Sequence, residues 1–420
     1  MKADEVARHQ KDRLEGAILE AVARHGLAST TVRELVTLAG VSKSTFYEHF
    51  ASKEECFLAT FDSIVAEMAE EVAKAYGSGG DERERLVSAL RRFMEFVVER
   101  PDATAFAIVD SLTLGSAGIA HREGAWEAFE QLARQYFVNT APQEEVSDLT
   151  VRAIIAGITG VTYGYLRSGR TAELPAQVEP LIDWALSYQG PDSEAVLRAV
   201  AAAERPCSIE IDDEGDEGEP GWDEPPDSPL SRATLSQRQR IIRAAGRVAV
   251  DRGYESLSIP TISAAGGTSN QTFYENFNSK RDAFIAAYEI ASNKALRFTA
   301  KALKGQTDGP EAAGAALRAL TEYIANDRMY ARLAFLEMMT AGPPALERSE
   351  ETTKSVVAFI EAGKGPKGIG VDAPRIVLDA TAAGIWFVIQ REVAHGRDAS
   401  LPAKAPELAR LALAPLSTAG

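Results

Sequence analysis

Two short runs of this chain gather the side-chain types that hydrogen-bond to nucleic acid. One reads Ser42-Lys43-Ser44-Thr45-Phe46-Tyr47-Glu48-His49-Phe50, and the other Ser269-Asn270-Gln271-Thr272-Phe273-Tyr274-Glu275-Asn276-Phe277. Each opens on hydroxyl, ammonium or amide groups and carries a phenol further along. Short polar donors suit base edges in a groove, while phenol, hydroxyl and ammonium groups suit phosphate oxygens. Phe46 and Phe50, like Phe273 and Phe277, stand four residues apart and so share one side of a helix. The polar residues are left on the other faces. Metal chemistry finds no comparable pattern: His9, His25, His49, His121 and His395 are scattered, and Cys56 and Cys207 fit neither a zinc spacing nor a disulfide framework.

The elements that must hold these runs also occur twice. Phe46 and Phe273 are 227 positions apart, and the same offset carries Gly26 onto Gly253, Gly40 onto Gly267 and Lys53 onto Lys280. It still relates Gly157-Ile158 to Gly384-Ile385 and Leu174-Pro175 to Leu401-Pro402. A register held that far means that a whole domain is duplicated in tandem. In the first copy, Leu14, Ile18, Leu19, Val22 and Ala23 mark an apolar stripe over Arg8 to Arg24, and Gly26 stops that helix. Thr31 is placed to cap a short helix closed by Gly40, and Ser42 to cap a third. Ser52 with Glu55 reads as a capping box opening a long helix that runs to about Tyr76. Residues 81–190 continue as amphipathic helices, clearest at Leu86, Leu90, Phe93, Phe96 and Val97. Alternating strand patterns with hairpin signals are missing, so the expected fold class is all-α, twice over.

Length and composition agree with two soluble globular units. The chain has 420 residues, 45% hydrophobic and 25% charged, enough for two cores. Its N-terminal stretch, MKADEVARHQKDR, has no apolar signal core, and the pattern shows no apolar run of membrane-spanning length. With the cysteine usage, this points to a cytoplasmic protein without a membrane role. A net charge of −16 argues superficially against a nucleic-acid partner. However, ten of the 61 acids fall in residues 207–230, and residues 236–283 carry seven Lys and Arg against four acids. Residues 10–56 are near neutral, with six against seven. Local charge, not the total, governs phosphate contact.

The acidic stretch CSIEIDDEGDEGEPGWDEPPDSPL has too few aliphatic residues to bury a core and reads as a flexible linker. Gly363-Lys364-Gly365-Pro366-Lys367-Gly368 matches a dinucleotide-binding spacing but follows a helical pattern, TTKSVVAFIEA, rather than a strand. It is expected to be a loop, and no cofactor is called for. The expected domains are therefore 1–60 and 234–288 as helix-turn-helix units, 61–206 and 289–420 as helical bodies, and 207–233 as the linker.

The motif G-V-S-x-x-T-F-Y-x-x-F-x-S-K-E-x-x-F, from Gly40 to Phe57, resembles the DNA-binding domain of the tetracycline-repressor (TetR) family. The likeness covers roughly residues 10–60 and 237–288 by motif, and the remainder by length and helicity. It implies a repressor released from double-stranded DNA by a small ligand, here two subunits fused into one chain that pair internally. It assigns phosphate contacts to Thr31, Tyr47, Lys53, Ser258, Tyr274 and Lys280, and base-edge contacts to Lys43, Ser44, Asn270 and Gln271. Thr45, His49, Thr272 and Asn276 complete that surface. The second copy departs from the pattern at Thr268 and at Pro260, which stands where the first has Arg33. Aromatic and sulfur side chains, Phe93, Phe96, Phe106, Trp126 and Tyr163 in the first body and Phe335, Met338 and Trp386 in the second, are candidates to line a pocket for an apolar or aromatic effector. The small residues of Ile154–Leu166 and Thr381–Val393 suit close pairing of helices between the halves. The competing reading is a ligand or protein sensor whose motifs have lost DNA binding; an enzyme has no supporting constellation.

The leading turns of the two motifs differ, so the operator should not be a perfect palindrome. Lysine suits the O6 and N7 acceptors of guanine, whereas Asn and Gln suit the N6/N7 edge of adenine, each pairing being worth about 1–3 kcal/mol of discrimination. Selection from random DNA should return unlike half-sites; a perfect inverted repeat among the tightest sequences would show that these side chains read phosphate alone.

Overall fold

The computed structural model describes residues 3–140, 146–190, 192–207, 236–303, 309–342, 344–348 and 373–417. The candidate dinucleotide loop at 363–368, the helical pattern before it and most of the acidic stretch lie outside the described residues. Among those described, every regular element is helical. The chain divides into two compact units, Met1–Gln189 and Gly190–Gly420.

Unit one begins with α1 (Ala3–Ser29), longer than the apolar stripe suggests and broken at Gly26, whose φ of 78° only glycine adopts cheaply. Next come α2 (Val32–Ala39), capped by Thr31, and α3 (Lys43–His49), capped by Ser42. The body consists of α4 (Lys53–Tyr76), α5 (Glu82–Glu99), α6 (Pro101–Ile108), α7 (Gly115–Thr140), α8 (Asp148–Arg167) and α9 (Val178–Leu186). Ser52 caps α4 as expected, but the Glu55 carboxylate accepts from Ala51 N rather than Ser52 N. The capping box is thereby offset by one residue. Phe57 of α4 stacks on Phe106 of α6 at 4.0 Å, joining the start of α4 to the core of the body.

Unit two contains α10 (Glu194–Glu204), α11 (Gln237–Arg252), α12 (Ile259–Ala265), α13 (Asn270–Asn276), α14 (Lys280–Ala302) and α15 (Gly309–Asn326). It continues with α16 (Arg328–Arg332), a π-helical turn at Leu333–Glu337, α17 (Arg375–Ala394) and α18 (Leu401–Ser417). The duplication is kept to the residue. Helices α3 and α13, α5 and α15, and α8 and α17 start and stop at positions 227 apart. Pro260 sits in the first turn of α12 beneath the Ser258 cap, where its missing N–H costs nothing.

Helix α8 corrects one expectation. Within its 20 residues an 18-residue window has a mean hydropathy of 1.3, long and apolar enough by composition to cross a bilayer, although 44% of that window is buried within the protein.

A second correction concerns α10, which the sequence places with the first half. It packs instead in unit two, against α15 and α18. Both α10 and α15 are rich in alanine, and at Gly314 a Cβ would come within 2.0 Å of the Ala199 carbonyl oxygen. The approach therefore depends on glycine. The copy-one position 227 residues earlier is Val87. Arg410 adds an ion pair to Asp192 at 2.7 Å, and the Cys207 amide donates to the Glu322 carboxylate. The acidic stretch thus connects two helices of the same unit, α10 and α11, rather than one unit to the other.

Two results should follow. Gly314→Val, which installs the copy-one residue, should expel α10 and destabilise unit two by at least the 1–3 kcal/mol typical of overpacking, seen as a lowered melting temperature. A protease site placed at 215–225 should, after cleavage, leave two fragments that co-elute in buffer and separate in denaturant; separation in buffer would show that α10 does not hold on.

Candidate DNA-contacting surface and the adjoining cavity

Each recognition helix is seated by its aromatic side. Phe46 and Phe273 are fully buried, and Phe50 and Phe277 nearly so, with ring centroids 5.9 Å apart within each pair. Burying two such rings stabilises by about 2–3 kcal/mol each. The turn before the helix is pinned identically in both copies: Arg13 donates to the Gly40 carbonyl and Arg240 to the Gly267 carbonyl, both at 3.4 Å. Gly40 and Gly267 take φ of 61° and 58°, the left-handed conformation that ends a helix.

Lys53 and Lys280 are engaged within the protein. Lys53 Nζ donates to the carbonyls of Leu27, Ala28 and Thr30 at 2.8, 3.3 and 2.9 Å. Lys280 Nζ donates to the Leu257 carbonyl at 2.8 Å and rests over the Tyr254 ring. These ammonium groups hold carbonyls of the segments leading from α1 to α2 and from α11 to α12. Thr45 and Thr272 are also engaged, sharing their hydroxyls with the capping Ser42 and Ser269 at 2.9 and 3.0 Å. His49 turns back toward Gln10, and Asn276 donates to the Thr272 carbonyl of its own helix. Thr31 and Ser258 each accept an amide of the helix they cap; the Ser258 hydroxyl in turn points at Thr261.

What remains outward is narrow. Tyr47 is 51% exposed and Tyr274 61%, both large for aromatic rings on a folded surface. Lys43 and Ser44, and Asn270 and Gln271, are exposed beside them. The Lys43 ammonium lies 5.8 Å from the Tyr47 ring centroid, so cation and phenol present together. Sequence reasoning missed the acids on this face: Glu48 accepts from Ser44 at 3.4 Å, and Glu275 from Gln271 at 3.1 Å. Their i to i+4 spacing was the available signal.

Behind the helix-turn-helix of unit one lies a cavity with room for a water molecule's centre over about 120 Å³, far more than the ~15 Å³ one water needs. Phe61, Val65, Met68, Val72 and Tyr76 form a stripe on its α4 side, and Leu90, Phe93, Ile108, Trp126, Phe129 and Ile158 close it from the other helices. Of the residues expected here, Phe93 and Trp126 are on the wall. Phe96 and Phe106 are instead core, 1% and 0% exposed, and Tyr163 does not line the cavity. The α4 stripe was legible as a helical period; Arg122, in the wall beside Trp126, was not. In unit two, Phe335 and Trp386 pack at 5.7 Å and Met338 is fully buried. The counterpart of α7 there falls at 342–367, largely outside the described residues.

Two stretches of the chain, 16–60 and 241–287, match the family described as bacterial regulatory proteins, tetR family. Each unit therefore carries a stretch of the tetR DNA-binding-domain type. The matched stretches coincide with the helix-turn-helix regions of the two units. Among curated relatives, it is 29% identical over 99 residues to the HTH-type transcriptional activator FasR of Mycolicibacterium smegmatis, covering 24% of this chain and 45% of that protein. It is 39% identical over 70 residues to the HTH-type transcriptional repressor AcnR of Corynebacterium diphtheriae, covering 17% of this chain and 36% of that protein. The chain therefore aligns with less than half the length of either relative. Similar solved structures include the fatty acid degradation regulator FadR of Bacillus halodurans, at 16% identity and TM-score 0.40 over 42% of this chain and 94% of that one. FadR of Bacillus subtilis in complex with stearoyl-CoA is similar at 14% identity and TM-score 0.39, over 42% of this chain and 97% of that one.

The junction between the helix-turn-helix region and the body differs between the two copies. In unit two, Glu337 of the π-helical turn accepts the Tyr254 amide at 2.8 Å, tying the body to the loop after α11. The residue 227 positions earlier is Asp110, in the 3-10 turn Asp110–Leu114 that packs against α1. Burial pushes the Asp110 carboxyl up to about 6. A raised carboxyl pKa means the folded state holds the proton more tightly than the unfolded chain. Its stabilising effect is complete below the unfolded value near 4 and is lost as pH rises through about 6. Asp110→Asn should therefore stabilise unit one at pH 7.5, by on the order of 2 kcal/mol, and flatten the stability profile between pH 4 and 6. Denaturant midpoints across that window check it; an unchanged profile would mean the carboxyl titrates normally.

Proposed function

We propose that the protein is a ligand-responsive repressor whose two helix-turn-helix units read one operator as a pair within a single chain. The observation that carries this reading is the exposed phenol with its neighbouring donors, set twice on buried-aromatic helices at a 227-residue offset. Tyr47 and Tyr274 hydrogen-bond to phosphate; Lys43, Ser44, Asn270 and Gln271 meet base edges; Thr31 and Ser258 contact the backbone from the start of the preceding helix. Lys53 and Lys280 serve this surface indirectly, by holding the carbonyls on which it rests. An apolar effector occupies the unit-one cavity. Ala107 and Ile108 line that cavity and belong to α6, which packs on α1, so a filled cavity pushes on the first helix of the DNA-binding domain. Paired recognition helices must lie about 34–36 Å apart to meet successive major grooves, so a small change at α1 is enough to break the match.

The paired reading expects one chain of 45.2 kDa per operator, and sedimentation of the complex at micromolar concentration measures that ratio. Tyr47→Phe and Tyr274→Phe should each weaken binding to operator and to unrelated DNA alike, by up to about tenfold, because a neutral phosphate hydrogen bond is worth roughly 0.5–1.5 kcal/mol and carries no sequence information. Unchanged affinity in both variants would favour the sensor reading, in which these helices no longer touch DNA.

A further inference from the structure

Opposite its buried phenylalanines, each recognition helix presents a carboxylate. Counting about 100° of rotation per residue, Glu48 stands about 180° from the direction midway between Phe46 and Phe50, and Glu275 has the same relation to Phe273 and Phe277. Both acids are exposed, while all four rings are buried. Ser44 makes a long bond to Glu48 Oε1 at 3.4 Å, and the Gln271 amide donates to Glu275 Oε1 at 3.1 Å. Each bond draws the carboxylate toward the leading turn of its helix and uses one of its two oxygens. The two runs differ at Lys43 and Asn270, at Ser44 and Gln271, and at His49 and Asn276, yet both keep the acid.

A carboxylate in the middle of a surface that meets phosphate is repelled unless a donor answers it. In the major groove two base groups can donate: the N4 amino group of cytosine and the N6 amino group of adenine. Adenine sets its N7 acceptor beside the amino group, and that acceptor repels a carboxylate. Cytosine has a C–H there. Resting on the reading that both helices enter the major groove of one operator, we propose that Glu48 and Glu275 are specificity-determining residues, each accepting a hydrogen bond from the N4 amino group of a cytosine. Ser44 and Gln271 hold the carboxylates in place for it. The half-sites then diverge where the leading turns read and agree at one C·G pair. The same acids weaken binding to DNA that lacks the cytosine, so selectivity comes from repulsion elsewhere as well as from the bond itself.

The test begins with the full, unaltered chain and sites selected from random DNA. A C·G pair should stand at the same place in both half-sites, and replacing either pair should weaken binding at least about fivefold. Glu48→Gln should move the preferred base at that place from cytosine to adenine in one half-site alone, because an amide offers a donor to N7 and an acceptor to N6. Glu275→Gln should do the same in the other half-site, and Glu48→Ala should flatten the preference. Selected sites with no C·G pair common to the two halves overturn the assignment and leave DNA reading standing, and this comparison needs no variant to fold. Glutamine variants that bind every sequence more tightly but keep the original base preferences also overturn it, since the acids then only repel phosphate. Failure of the unaltered chain to bind any DNA overturns the assignment together with the operator reading.

Discussion

The recognition surface depends on two phenylalanines, four residues apart, that each recognition helix buries against its neighbours. A helix of seven residues is too short to be stable in water by itself. Phe46 and Phe50, and their counterparts Phe273 and Phe277, supply what local propensity cannot: an apolar anchor that fixes the rotation of the helix about its axis. Once that rotation is fixed, Tyr47 and Tyr274 have to point outward, because they follow the buried ring directly. The surrounding polar contacts then refine the seat. Arg13 and Arg240 pin the glycine turns, and Lys53 and Lys280 gather the carbonyls left by the first helix. Equivalent contacts in both copies show that the duplicated unit has kept its framing, while the leading side chains of the two recognition helices have diverged.

Divergence in the bodies is larger and follows from packing. In unit one, the wall between α4, α5 and α7 keeps large residues around an open cavity. The corresponding positions in unit two include Ala295 for Met68, Ala313 for Leu86 and Trp386 for Thr159, which redistributes volume from one side of the space to the other. The alanine-rich α15, with Gly314 in its middle, admits the backbone of α10 at a distance no branched side chain would allow. A further polar centre in unit two shows how a buried acid is kept ionised. Burial penalises the Glu392 carboxylate, but Arg397 and Lys404 bond to it and hold its pKa down to about 2, and Ser400 donates a further hydrogen bond.

In unit one the cavity wall and the first helix meet at α6 and the turn that follows it. That turn carries Asp110 in unit one and Glu337 in unit two, at equivalent positions, and the longer acid reaches a backbone amide of its DNA-binding domain at 2.8 Å. The turn itself also differs, 3-10 at Asp110–Leu114 and π-helical at Leu333–Glu337. The Glu337 tie resists displacement of the body relative to α11, since breaking it leaves the Tyr254 amide without its acceptor, at about 1–3 kcal/mol, while Glu337 keeps its pairing with Arg332. The two units therefore differ in the stiffness of the same joint, with the open cavity on the side that lacks the bond.

The sequence by itself determined the features whose cause is local. Caps at Thr31, Ser42, Ser52, Ser258 and Ser269, glycines at positive φ, the aromatic pairs and the duplication are written in neighbouring residues, and the helices start and stop where those signals stand. Tertiary structure decided what depends on contact between distant segments. Lys53 and Lys280 read as surface cations because a lysine's charge suggests solvent, yet carbonyls 23 to 26 residues away capture them. Helix α10 follows the first copy in sequence but packs with the second, because the matching small-residue surface lies more than a hundred residues downstream on α15. Phe96 and Phe106 share the hydrophobic pattern of Phe93, and only the three-dimensional arrangement of α4, α5 and α6 sends them to the core while Phe93 faces the cavity. Periodicity gives the face of a helix; which neighbour that face meets is a property of the assembled fold.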